Sequence, residues 1–190
     1  MAQSTIAANS LFNTLQPFVF EASFSLSTIT NVHMYIGLGL TSVYSDFKVD
    51  NDKAYFTYNS SATSTPDDIS GEGRFYENTN GELLLHFIYS VGGTDYITQL
   101  DDLEIEVDTT YRCKIVLDSS AQLSVFVNDI QYSLNATTAG VIASASSATQ
   151  IGKKGTGKSA IMTVTTIPLK PMARVESIST TACTMYVNYM

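Results

Sequence analysis

The chain has 190 residues, enough for one domain that buries roughly 70% of its unfolded surface. Its net charge of −8 and its ten scattered Lys and Arg residues leave no basic stripe to displace counterions, which argues against a nucleic-acid partner. Charged residues make up 15% of the chain against ~25% in ordinary domains. Tyr (11) and Phe (9) are frequent and Trp is absent, a composition that suits half-buried pleated surfaces.

The opening segment, MAQSTIAANSLFNTLQPF, has neither the charged start nor the apolar core of a signal peptide. No apolar run approaches the ~20 residues of a membrane helix, so synthesis in a cytoplasm and no membrane partner are expected. Residues 1–17 read as an N-terminal arm ahead of a single domain at 18–190. The arm carries no charged side chain, and its Ile6, Leu11, Phe12 and Leu15 need a surface to bury them. A neighbouring subunit or a larger assembly is the expected surface, with the chain's own domain as the alternative, because chain termini are free to reach and to order on binding.

From Phe18 onward, alternation with a period of two dominates. Phe18, Phe20, Ala22, Phe24 and Leu26 point one way, and Val19, Glu21, Ser23 and Ser25 the other. Val32, Met34, Ile36, Leu38 and Leu40 repeat the pattern, as do Leu83, Leu85, Phe87, Tyr89 and Val91. Further strands are predicted at 96–100, 104–107, 111–117, 123–127, 131–134, 161–167, 172–178 and 183–190. Turns fall at Asn78–Gly81, Gly92-Gly93, Asp118–Ser120, Asn128-Asp129 and Pro168–Pro171. Residues 59–73 read as a long exposed loop, and 136–148 as a loop or a weak strand. Short strands at this spacing predict an all-β fold, an antiparallel β-sandwich or a barrel.

Several constellations resemble chemistry. Gly152–Ser159 matches the phosphate-loop pattern GxxxxGK[ST] in full. The mechanism needs a buried strand before the loop and a helix after it. The flanks here are SASSATQI and the β-branched AIMTVTTIP, so a basic turn between strands is expected. Glu104, Glu106 and Asp108 alternate in LEIEVD, which predicts three carboxylates on one strand face. Paired carboxylates serve glycoside hydrolysis, but the absence of Trp and the adjoining Asp101-Asp102 favour a solvent-facing edge. His33 and His86 lie on the phases opposite the main apolar ones, with no ligand neighbour at metal-binding spacing. Cys113 and Cys183 lie on apolar phases and read as small buried hydrophobes rather than a disulfide. No cofactor, metal or catalytic residue is expected.

The segment Tyr111-Arg-Cys-Lys-Ile-Val-Leu-Asp118, the turn that follows it, and Leu123-Ser-Val-Phe-Val-Asn128-Asp-Ile130 resemble the hairpin of concanavalin A-like (laminin G-like) sandwiches. Asp129 stands where that hairpin usually has Gly. The opening FVFEASFSL…VHMYIGLGL and the closing PMARVESI…CTMYVNYM resemble the first and last strand pairs of the same group. Among its members, the likeness is to domains of bacteriophage virion structural proteins. The metal site of legume lectins and the acid cluster of glucanases are not matched. The resemblance implies a jelly-roll, concanavalin A-like sandwich in a non-enzymatic virion protein made in the host cytoplasm. A capsid decoration or cement role follows, with a second copy of the chain and a major capsid protein as partners. The alternative is a carbohydrate- or receptor-binding module of a tail or head fibre, with glycans as ligands.

Overall fold

The structure is a computed structural model, described for residues 3–7, 12–13, 16–40, 52–60, 84–91, 94–120, 122–134, 151–152, 160–161, 168–177, 180 and 182–189. Fourteen strands follow in chain order: β1 (Gln3–Ala7), β2 (Phe12–Asn13), β3 (Phe18–Leu26), β4 (Val32–Gly39), β5 (Lys53–Asn59), β6 (Leu84–Val91), β7 (Thr94–Glu104), β8 (Tyr111–Leu117), β9 (Gln122–Val127), β10 (Ile130–Tyr132), β11 (Ile151–Gly152), β12 (Ala160–Ile161), β13 (Pro168–Ser177) and β14 (Met185–Tyr189). An eight-stranded sheet has the order β1-β13-β4-β5-β6-β7-β11, with β2 also on β13. A six-stranded sheet has the order β10-β9-β8-β3-β14, with β12 also on β9. The chain passes back and forth between the two sheets, and every pairing but β11 with β7 is antiparallel. The protein is therefore an all-β antiparallel β-sandwich of the jelly-roll class.

Strand alternation decides what fills the space between the sheets. The six-stranded sheet sends in Phe20, Ala22, Phe24 and Leu26 from β3, Tyr111, Cys113, Ile115 and Leu117 from β8, and Leu123, Val125 and Val127 from β9. The larger sheet answers with Met34, Ile36 and Leu38 from β4, Phe56 and Tyr58 from β5, Phe87 and Tyr89 from β6, and Ala173 and Val175 from β13. Aromatic rings link neighbouring strands, with centroids 5.0 Å apart for Phe56 and Phe87 and 5.5 Å for Phe24 and Tyr111. Burying each such side chain contributes about 1.5–3 kcal/mol. Burial raises the phenols of Tyr58 and Tyr189 to about 12, and it pushes the Cys113 thiol up from its ordinary value.

Turn chemistry closes the hairpins where the sequence places it. Asn128 and Asp129 both have positive φ, 50° and 65°, the conformation of a two-residue type I′ turn. The Asn128 Oδ1 atom accepts from the Arg112 backbone N–H at 2.8 Å. Between β8 and β9, Asp118 Oδ1 accepts from the N–H groups of Ser120 and Gln122.

Several elements differ from the sequence reading, among them β5, β7 and β13. A strand at Lys53–Asn59 was not expected, because Tyr55 on the second phase blurs its alternation. The strand predicted at 96–100 is longer, running as β7 from Thr94 through Asp101-Asp102 to Glu104, and the separate strand predicted at 104–107 does not form, since residues 105–107 lie beyond the end of β7. Its pairing with β6 shifts register between Leu84 and His86, and that bulge absorbs the extra length. Pro168 and Pro171, expected in a turn, both lie on β13. On one flank of β13, β1 ends opposite Met172 and β2 begins opposite Leu169. Among the described residues, Pro171 has no partner on this flank, the kind of position where a sheet tolerates proline.

Residues 1–17, read as an arm, meet the sheet at two points through the pairings of β1 and β2 with β13. Ile6 lies opposite Ala173, and Phe12 opposite Leu169. Leu11 and Leu15 lie outside the described residues, as do 136–148, most of 59–73 and Lys153, Lys154 and Lys158 of the phosphate-loop-like segment.

On β4, Gly37 lies opposite Tyr55. A Cβ at this position would press into the Ala54 carbonyl and come within 2.5 Å of the Tyr55 Cα. Backbone cannot yield as a flexible side chain can, so Gly37→Ala is expected to destabilise the fold by about 1–3 kcal/mol or more. Urea unfolding of the two proteins measures the loss.

Candidate functional site

The two sheets present outward faces of different character. On the six-stranded sheet the outward rows are solvated, as one face of an antiparallel sheet usually is. Register aligns Glu21, Lys114 and Phe126 across β3, β8 and β9. Arg112 Nε lies 3.2 Å from Glu21, and its terminal nitrogen contacts Asp129 on the hairpin turn. Lys114 Nζ stands 3.7 Å from Glu21 and 3.6 Å from Asp129, and 5.6 Å from the centre of the Phe126 ring. The hydrogen bond from Arg112 is the main cause that holds the Asp129 carboxyl below its usual range. Such exposed pairs add little stability; here they fix four charged side chains in a mosaic. Beside them runs a shallow apolar groove lined by Pro17, Phe18, Val19, Val116 and Leu117 and closed by Asp118 and Ser119. Val19 is 56% exposed.

On the eight-stranded sheet the outward rows are buried and polar. One rung runs Arg174, Tyr35, Thr57, His86, Gln99 across β13, β4, β5, β6 and β7. All five side chains can form hydrogen bonds, and all five residues are buried. The next rung brings Glu176 opposite His33. Glu176 pairs with the Arg174 guanidinium, and its second carboxylate oxygen lies 3.8 Å from His33 Nδ1. The Tyr35 ring lies 5.9 Å from that of Tyr55 and 6.4 Å from that of His33. Lys53 and Ser90, further along the same face, are also buried. Burial lowers the Arg174 pKa to about 10, against an opposing contribution from Tyr35. A charge held out of water is costly unless paired and hydrogen-bonded, and on this face Glu176 supplies the pairing for Arg174.

The structure separates the sequence-predicted acids. Glu104 ends β7, Glu106 lies beyond it, and Asp108 has φ 56°, so the three do not share a strand face. Tyr111 causes the bend: its hydroxyl accepts from the Glu106 N–H at 2.9 Å and donates to the Glu104 carbonyl at 3.0 Å. The Asp108 N–H donates to the Leu26 carbonyl at 2.9 Å. All three acidic residues are exposed. Both cysteines are free, Cys113 in the core and Cys183 half-buried with its thiol donating to the Thr28 carbonyl. Both histidines lie on the outward phase as read, yet buried, and His33 meets a carboxylate 143 positions away. No local signal reveals that contact; it arises only when β13 pairs with β4. Among the described residues, no three His, Cys, Asp or Glu side chains come together as a metal site.

No protein-family model matches the chain, and no curated protein does. Among solved structures it is similar to the carbohydrate binding module CBM66 from Bacillus subtilis, at 8% identity and a TM-score of 0.43, over 97% of this chain and 78% of that one. It is also similar to a toad ovary galectin in complex with thio-digalactose, at 8% identity and a TM-score of 0.38, over 98% and 99% of the two chains.

The Arg174–Glu176 pair has a measurable consequence. Glu176→Ala removes the carboxylate beside a buried guanidinium and is expected to cost about 3–5 kcal/mol. Replacing both, Arg174→Met with Glu176→Leu, removes the charges together and is expected to cost clearly less than the single change. Urea unfolding of the two variants and the parent gives the comparison.

Proposed function

We propose that the chain is a non-enzymatic virion structural protein, a capsid decoration or cement protein that docks through the outward face of its six-stranded sheet. The carrying observation is the apolar groove of Phe18, Val19 and Val116 beside the Glu21–Arg112–Lys114–Asp129 mosaic. An apolar patch rimmed by fixed charges of both signs suits a flat protein partner. The sequence resemblance to virion domains points to a major capsid protein as that partner.

The test has two parts. Purified particles of the phage that encodes the chain should contain it in capsid-lattice copy numbers, counted by quantitative mass spectrometry. Val19→Glu with Val116→Glu, both at partly exposed positions, should leave the fold intact and abolish attachment to particles. Absence from particles, or undiminished attachment of the double variant, contradicts the proposal.

A second reading, recognition of a glycan in a fibre, draws on the outward rung of Arg174, Tyr35, Thr57, His86 and Gln99. Such side chains match the hydroxyls of a sugar, although their burial means that a glycan must first gain access. Strong signals on a glycan array, unaffected by the Val19 and Val116 changes, would favour this reading over capsid docking.

A further inference from the structure

The six-stranded sheet ends at β14, and among the described residues no strand lies on its outer side. Open edges are usually blunted by charges, proline or bulges. The sequence of β14, MYVNY, has none of these devices. Its neighbour β3 carries no charge along the paired stretch Ala22–Leu26 either. In a chain with net charge −8, this edge is a neutral zone.

Two hydrogen bonds fix which way the β14 backbone faces. The Ser27 N–H donates to the Thr184 carbonyl, so Thr184 points towards β3. The Leu26 carbonyl accepts from Asp108, on the far side of β3, so Leu26 and its partner Met185 are turned the other way. Backbone groups of successive strand residues alternate between flanks. Tyr186 and Asn188 therefore bond to β3, whereas Met185, Val187 and Tyr189 direct their N–H and C=O groups outward.

We infer that a second copy of this chain pairs with β14, antiparallel, about a two-fold axis at Val187. The outward groups at 185, 187 and 189 are symmetric about that residue, so the edge is complementary to itself. Val187 exchanges two hydrogen bonds with Val187 of the second copy, and each Met185 exchanges two with Tyr189 of the other. On the solvent face Tyr186, 64% exposed, falls opposite Asn188 of the second copy, in the closer kind of cross-strand pair. No like charges meet, and the two six-stranded sheets become one continuous sheet. This dimer is independent of the capsid partner proposed above: it forms in a pure solution of the chain or not at all.

Analytical ultracentrifugation of the full chain, from micromolar to millimolar, tests the pairing. The wild type is expected to pass reversibly from monomer to dimer. Val187→Pro removes an N–H that faces outward and spares the ladder to β3. It should weaken the dimer roughly ten- to a hundredfold with an unchanged far-ultraviolet circular dichroism spectrum. Should that variant fail to fold, a charge pair decides. Tyr186→Glu with Asn188→Glu, and Tyr186→Lys with Asn188→Lys, should each be monomeric alone and form a heterodimer when mixed. A wild type that stays monomeric at millimolar concentration overturns the inference. So does a folded Val187→Pro variant that associates as the wild type does, or a mixture of the charge variants that stays monomeric.

Discussion

In a two-layer sandwich each sheet has one face for the core and one for water, and hydrophobic burial needs only the first. The eight-stranded sheet departs from this division, because its central strands bury both faces. All eight residues of β4, Val32–Gly39, are buried, and so are the outward residues Lys53, Tyr55 and Thr57 of β5, His86, Ile88 and Ser90 of β6, and Arg174 and Glu176 of β13. Groups that would be solvated on an ordinary sheet must here find partners inside the protein. The Arg174–Glu176–His33 chain is the visible part of that arrangement. Close backbone approach is another consequence, since the space opposite Tyr55 admits glycine at position 37 and no Cβ.

This constraint explains what could be read from the sequence. Strands β3, β8 and β9 were legible because one face is half-exposed, so polar residues mark most of the outward positions and the burial pattern alternates as the residues do. The Asn128-Asp129 turn was legible because its chemistry is local. Strand β5 was not, because Tyr55 on its outward face imitates a core residue. Pro168 and Pro171 imitated a turn because the places that accommodate them, the first position of β13 and the interval between the β1 and β2 pairings, depend on the whole sheet. Glu104, Glu106 and Asp108 imitated a strand face because the clasp that bends them away belongs to Tyr111, on the next strand. The Arg174–Glu176–His33 cluster depends on the pairing of β13 with β4, which no local window contains.

The same division of surfaces organises the functional reading. The inward faces hold the fold together and the outward face of the larger sheet is interior, so among the described residues accessible side chains are concentrated on the six-stranded sheet. That sheet offers two surfaces that do not overlap. Its outward face combines the Val19–Val116 groove with the ion-pair mosaic and suits a broad protein partner. Its β14 edge is neutral, regular and self-complementary. Under the proposed function and the inferred pairing, attachment by one surface and pairing by the other would together add avidity from many weak contacts.

The burial of the outward polar face is the central claim, and the two histidines of the chain report on it directly. His33 is 6% exposed and His86 1%, and both lie on that face. Diethylpyrocarbonate carbethoxylates accessible imidazole rings, and mass spectrometry counts the products at each site. Neither ring should react in the native protein except through local or global opening, and both should react promptly in denaturant. Rapid modification of both histidines in the native protein would contradict a buried polar face on the eight-stranded sheet.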